Sequence, residues 1–295
     1  MNKKVLVTGA TGFQGNAVVQ ALLTNGFSVK ALALADESTS GLKSRGVEIA
    51  VGNFEDKESL KNAFQDVHHV VLSFPLIFDA AKLLSYAKNF VDAVKISKVQ
   101  SVVFITNLPV YPQKVGLIAF DVKLAIEQLF DTENLPYISI RPTLYMDNLS
   151  APFLLPVIQR NNILPYPVPA GKKIAWISHK DLAKFAVEAI KRPELVGQKF
   201  FIGGSQLISG EEMAEVLTNL LGRHIQFIPV SPDDFEVQLS GAFGGETAKE
   251  IANIYRFVKD NVEHFQAKDL RENTLIKLPV SLQTFEEWAG EVKWG

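Results

Sequence analysis

The 295-residue chain contains no cysteine, which excludes disulfide frameworks and thiolate nucleophiles. Histidine is scarce, five in all. His68, His69, His179, His224 and His264 form no i, i+4 pair, so a metal site has no support. No apolar stretch approaches the roughly eighteen residues of a membrane span. The Met-Asn-Lys-Lys start leaves no length for a signal peptide before the first strand. Neither sign of charge dominates: 30 Lys and Arg face 32 Asp and Glu, giving a net charge of −2. That balance argues against a nucleic-acid or anionic-membrane footprint. The absences together predict a cytoplasmic protein with no membrane or direct nucleic-acid partner.

What is present is a large apolar fraction, 47%, against 21% charged residues, enough for a sizeable core. The most specific feature lies near the start. Lys4-Val5-Leu6-Val7 reads as a strand and runs into Thr8-Gly9-Ala10-Thr11-Gly12-Phe13-Gln14-Gly15. Ala17, Val18, Ala21 and Leu22 then recur at helical spacing. Strand, glycine turn and helix in that order suit a dinucleotide pyrophosphate: glycines let the backbone approach the phosphates, and the new helix offers its positive end.

Strands are predicted over 5–8, 28–33, 47–51, 69–73, 101–106 and 137–141, and helices over 14–24, 57–64, 78–97 and 116–132. Continuous apolar runs such as Val70-Val71-Leu72 and Val102-Val103-Phe104-Ile105 predict strands buried on both faces, hence an α/β fold with a doubly wound parallel sheet. Ligands in such sheets bind beyond the carboxyl ends of the strands. Here those ends are at 9, 33–36, 53, 73–75, 106–108 and 141–142. Beyond Pro142 the pattern becomes mostly helical, with short strands at 199–202 and 225–229. The proline-spaced stretch 164–171 predicts an extended, exposed segment. Ser178-His179-Lys180-Asp181, Ser209-Gly210-Glu211-Glu212 and Ser231-Pro232-Asp233-Asp234 predict helix starts. The glycine-rich run 240–245 predicts a loop between two helices.

Several stretches together resemble the NmrA-like atypical short-chain dehydrogenase/reductases and the neighbouring isoflavone-reductase-like enzymes. They are Val7 to Gly15; Gly46-Val47-Glu48 with Gly52-Asn53-Phe54-Glu55-Asp56; Val102 to Asn107; Phe120-Asp121-Val122-Lys123; Tyr137-Ile138-Ser139-Ile140-Arg141-Pro142; and Ser178 to Ala183. The resemblance implies a Rossmann-type NAD(P)-binding domain over 1–150, with returns near 174–203. A smaller, mainly helical substrate or partner lobe would span 151–295.

Two departures qualify the resemblance. Short-chain dehydrogenases carry Tyr-x-x-x-Lys on the helix after the fifth strand; here Lys123 is kept and position 119 is alanine. The Phe-x-x-Lys form resembles the isoflavone-reductase-like branch, in which the lysine is assigned the acid/base role. Leu34 stands where NADP-preferring relatives often carry arginine. Asp36 suits ribose hydroxyls, while Lys43 and Arg45 are near enough in sequence to compensate, so NAD and NADP both stay open.

The cofactor-binding candidates are Gly9, Thr11, Gly12, Phe13, Gln14, Gly15, Asp36, Ser73, Phe74, Pro75, Thr106, Asn107 and Lys123, with Lys123 also the catalytic candidate. Bland readings compete. Thr106 and Asn107 suit local backbone bonding as well as ligand contact. Lys123 suits a solvated surface. Tyr111, Tyr145 and Tyr166 suit packing as well as proton donation. Asp181, Asp233 and Asp234 suit first-turn helix charges.

The leading expectation is an NAD(P)H-dependent reductase of a conjugated or quinone-like molecule, apolar or aromatic, because no tyrosine on this helix is available to protonate a carbonyl oxygen. The alternative is an NmrA-like redox sensor that binds the dinucleotide and a protein partner without turnover. Oligomeric state is open.

Overall fold

The computed structural model describes residues 3–294. The chain divides into two compact units. One comprises the chain up to Pro142 with Leu182–Phe201 and Glu272–Val280; the other comprises Thr143–Asp181, Ile202–Arg271 and the chain from Ser281. The division falls after Pro142, where the sequence pattern changes; the resemblance implies a boundary at 150 with returns near 174–203, and the first unit takes up the chain again at 182–201 and 272–280.

The first unit is built on strands β1 (Lys4–Thr8), β2 (Ser28–Ala33), β3 (Glu48–Val51), β4 (His69–Leu72), β5 (Ser101–Ile105) and β6 (Tyr137–Pro142). Numbering along the chain, the seven-stranded sheet has the order β3-β2-β1-β4-β5-β6-β8, where β8 is Lys199–Ile202. The pairs from β3 across to β6 are parallel, with Val5 opposite both Val29 and His69. β4 and β5 are buried at every position, as expected of strands covered on both faces. Helices α1 (Phe13–Thr24), α2 (Ser40–Lys43), α3 (Lys57–Ala63), α4 (Ala80–Lys95) and α5 (Ile118–Thr132) link these strands. The order reverses at β1, flanked by β2 on one side and β4 on the other. This switch point is where such sheets open a crevice for a ligand.

One sheet face is held by aromatic packing. Phe74 lies 5.0 Å from Phe54 and 6.0 Å from Phe104, and Phe130 meets Phe104 at 5.4 Å, edge-on. α4 contributes Leu83, Tyr86, Ala87, Phe90, Val91 and Val94 at helical spacing. Asp56 and Asp79 accept backbone N–H bonds at the starts of α3 and α4, the ordinary N-cap role. On α5 the buried carboxylate of Glu127 accepts from Ser139 Oγ at 2.6 Å and Arg141 Nε at 3.0 Å, and is also paired with Arg141 Nη2. These bonds lock the helix to β6.

The second unit contains the two-stranded parallel sheet of β7 (Ile163–Tyr166) and β9 (Gln226–Pro229), with helices α6 (Leu155–Asn161), α8 (Gly210–Leu221), α9 (Pro232–Phe243) and α10 (Gly245–Asp260). α7 (His179–Lys191) carries the chain from the second unit back into the first. The predicted starts at Ser209 and Ser231 are caps, the former a complete capping box with Glu212. Ser178 accepts from the Asp181 N–H at 3.0 Å, and the Asp181 carboxylate accepts from the Gln283 N–H at 2.8 Å.

Two expectations are corrected. The 164–171 segment is exposed only at its end, Ala170 and Gly171: Leu164, Pro165, Tyr166, Pro167 and Val168 are buried, and its start forms β7. Pro165 is tolerated because a two-stranded sheet leaves each strand an unpaired edge. The 240–245 run is not a loop either. α9 continues to Phe243, and Gly244 alone, at φ 78°, breaks it from α10.

Candidate functional site

The ends of β1, β4 and β5 bring the predicted residues together around the glycine turn. Gly9 takes φ 64°, a left-handed conformation that side chains resist, and its carbonyl accepts the Gly12 N–H at 3.1 Å. Gly15 is required by packing, since a Cβ there would lie 2.0 Å from the Gly9 oxygen. Gly12 differs. A Cβ on it meets protein only at 3.5 Å, an ordinary contact, and the residue is exposed. The space over Gly12 is not filled by the protein. Gly12 is also the N-cap of α1; no side chain caps that helix, and its first turn has no acidic residue. Such a helix end favours an anion. These features fit a dinucleotide pyrophosphate.

A polar cluster stands beside the turn. Gln14 Nε2 donates to Asn107 Oδ1 at 3.0 Å and to Ser73 Oγ at 3.3 Å, and Asn107 Nδ2 donates to Ser73 Oγ at 3.2 Å. Asn107 takes φ 66° at the end of β5, a conformation that asparagine tolerates better than most residues. Thr8, fully buried, escaped the sequence reading. Its hydroxyl donates to the Ser73 carbonyl at 2.8 Å and accepts the Ser73 N–H at 2.9 Å, tying β1 to β4. The available signal was a hydroxyl at the last position of an apolar strand.

Other candidates stand apart from this cluster. Phe74 turns into the core with 3% of its surface exposed, so its ring does not border the crevice, while Pro75 is exposed. Thr106 is fully buried, with its hydroxyl 2.6 Å from the Leu108 carbonyl and 3.2 Å from that of Ile140. Thr11 and Phe13 are exposed on the turn. Asp36 is exposed beyond β2.

Lys123 is buried on the inner face of α5 beside Ala119, Phe120 and Val122. It forms no hydrogen bond or ion pair among the described residues. Loss of hydration without a compensating partner lowers its pKa from 10.5 to about 8. The phenols move the other way. Tyr166 is pushed up to about 12 by burial, its hydroxyl 2.5 Å from that of Tyr255. Burial and the Asp147 carboxylate raise Tyr145 well above 10.

An NmrA-like family profile matches residues 1–289. The chain belongs to the NmrA-like family. A curated relative, the NAD(P)H azoreductase of Xenophilus azovorans, is 25% identical over 252 residues, covering 84% of this chain and 85% of the relative. The structure of Citrobacter sp. triphenylmethane reductase complexed with NADP(H) superposes with a TM-score of 0.80 at 23% identity, covering 98% of this chain and all of that one. NmrA, a negative transcriptional regulator, gives a TM-score of 0.77 at 16% identity, covering 99% and 96%. This NmrA-like chain therefore shares its fold with both reductases and a regulator. No helix among the described residues is long and apolar enough to cross a membrane, and none of their His, Asp and Glu clusters suits a metal ion.

Proposed function

We propose that this NmrA-like chain is an NAD(P)H-dependent reductase of small conjugated or quinone-like molecules of apolar or aromatic character. The observation that carries the reading is Lys123, a buried ammonium with no partner among the described residues, on the helix of a unit whose glycine turn fits a dinucleotide. A lone buried charge is costly to keep, and perturbed groups of this kind concentrate at functional sites.

In this reading the turn from Gly9 to Gly15 holds the pyrophosphate, and Gln14, Ser73 and Asn107 border the dinucleotide. Bound nicotinamide supplies a hydride. Lys123 holds the ribose hydroxyls and delivers a proton from Nζ to the reduced product. An ammonium with a pKa of about 8 is still protonated at neutral pH, yet a far stronger acid than a solvated lysine, as general acid catalysis requires. Tyr145 and Tyr166, raised by burial, are weaker donors than free phenols. Acceptors whose reduced form spreads negative charge need only a modest acid, which favours conjugated substrates over simple ketones. The azoreductase and the triphenylmethane reductase, by their names, act on conjugated acceptors.

The test is steady oxidation of NADH and NADPH by the full chain with a panel of quinones, enones, azo compounds and triphenylmethane dyes. Turnover with members of this panel and none with unactivated ketones is expected. Saturable dinucleotide binding with no oxidation across the panel, joined to ligand-dependent capture of a protein partner, would replace the reductase by a sensor of the NmrA kind.

A further inference from the structure

We propose that the ribose end of this site selects NADH over NADPH, an inference that rests on dinucleotide binding at the glycine turn. In this fold the adenosine ribose lies beyond the second strand, where a carboxylate accepts its hydroxyls or an arginine accommodates a 2′-phosphate. β2 ends at Ala33, and the next side chain, Leu34, is 46% exposed. An exposed leucine offers a phosphate no donor.

The turn that follows is acidic and self-bonded. Glu37 Oε2 accepts the Leu34 N–H at 3.0 Å, and the Glu37 N–H donates to the Leu34 carbonyl at 3.2 Å. This pair of bonds consumes the first backbone donor beyond the strand and fixes a carboxylate there. Asp36 is exposed on the same turn. A phosphate ester brought to this turn would face two carboxylates, whereas ribose hydroxyls can donate to Asp36.

Arg45, which follows α2, is already committed. Arg45 Nη2 donates to Asn16 Oδ1 at 2.6 Å, Nη1 to Gln20 Oε1 at 3.3 Å, and Nε to the Gly41 carbonyl at 2.9 Å. Its guanidinium fastens the α2 region to α1, and a bidentate phosphate contact would require breaking those bonds. Lys30 on β2 is engaged by Glu48 at 2.9 Å and by the Gln65 carbonyl at 2.9 Å. Lys43, at the end of α2 and exposed, is a point charge without the planar fork that matches a phosphate.

The deciding experiment is a titration of the full chain with NADH and with NADPH at one fixed ionic strength, following nucleotide fluorescence. NADH is expected to bind at least ~10-fold more tightly. Equal affinity, or tighter NADPH binding, overturns the selectivity while leaving the dinucleotide site intact. Failure of both to bind overturns the site and the selectivity with it. A double variant, Leu34→Arg with Asp36→Ser, is expected to shift the affinity ratio toward NADPH by ~10-fold or more; an unchanged ratio counts against the proposal. Lys43→Ala is expected to leave the ratio unaltered, and a selective loss of NADPH affinity in that variant would assign a phosphate clamp to Lys43 and overturn the inference.

Discussion

Holding an ammonium out of water costs folding free energy, and at Lys123 that cost goes with a fall in pKa from 10.5 to about 8 caused by burial. The unfolded chain binds the proton more tightly than the folded one, so this site's contribution to stability rises with pH between about 8 and 10.5 and is at its least favourable below that window. At neutral pH the difference amounts to about 3 kcal/mol. Lys123→Met is therefore expected to stabilise the protein by up to about 3 kcal/mol in urea unfolding while lowering kcat by on the order of 100-fold. A variant that is more stable and equally fast would remove the lysine from the chemistry. In the parent protein kcat is expected to fall as pH rises through about 8, because the proton donor proposed above is lost.

His69 behaves in the opposite compartment of the pH scale. It is fully buried, Nδ1 lies 2.8 Å from Ser101 Oγ, and Nε2 has no partner. Burial, with smaller contributions from Lys3 and His68, lowers its pKa from 6.5 to about 4. Its neutral form is the one the fold accepts. The stability this gives is complete above pH 6.5 and is lost as the pH falls toward 4, a total of about 3 kcal/mol. Urea midpoints measured at pH 7 and pH 4.5 should show that loss, and His69→Asn should flatten it. Equal pH sensitivity in the variant would place the acid lability elsewhere.

At the level of elements, the three glycines of the first turn do different work, and substitutions separate them. Gly15→Ala puts a Cβ against the Gly9 backbone and should destabilise the fold by roughly 1–3 kcal/mol, the usual cost of overpacking. A Cβ at Gly12 meets only the Gly9 oxygen, at 3.5 Å, so Gly12→Val should cost the fold less than Gly15→Ala, about 1 kcal/mol for a poorer N-cap, while dinucleotide binding is abolished. Thermal unfolding and nucleotide titration on the two variants check this; retained affinity in Gly12→Val would move the cofactor elsewhere. The turn was legible because its strand, glycines and helix are contiguous, and each satisfies a local rule. β7 was not legible: Pro165 within it and Pro167 just after it argue against a central strand, and only the pairing of Ile163 with Gln226 and Tyr166 with Pro229 makes an edge available. The α9–α10 junction misled for a related reason. Gly241 and Gly244 look alike in sequence, but only Gly244 takes a positive φ, and the helix runs on through Gly241 to Phe243, whose ring meets that of Phe153 at 5.8 Å.

For the whole molecule, the first unit is assembled from three separate stretches of chain, the last being Glu272–Val280. Nothing in the sequence around 270 announces this, since a π-helical turn, Leu270–Thr274, is the local structure there, and its role is fixed by distant partners. Thr274 is fully buried and donates to the Phe201 carbonyl at 3.0 Å. Lys277 Nζ sits 5.9 Å over the Phe200 ring and donates to Gln198 at 3.1 Å. Removing the chain from Glu272 onward should therefore loosen β8 as well as delete the segment. Amide exchange along Lys199–Ile202 is the measure; protection equal to that of the full chain would show that the strand stands without it.

The same threading has a consequence on the ribosome. Domains are generally completed in order as the chain emerges, but here the sheet's outermost strand, β8, and the segment that braces it appear only after the second unit has begun, and the brace only after most of it. The strands β1 to β6 thus leave the tunnel long before the β6 edge is covered. During synthesis β6 stands as an open edge, and pairing with β8 closes it late.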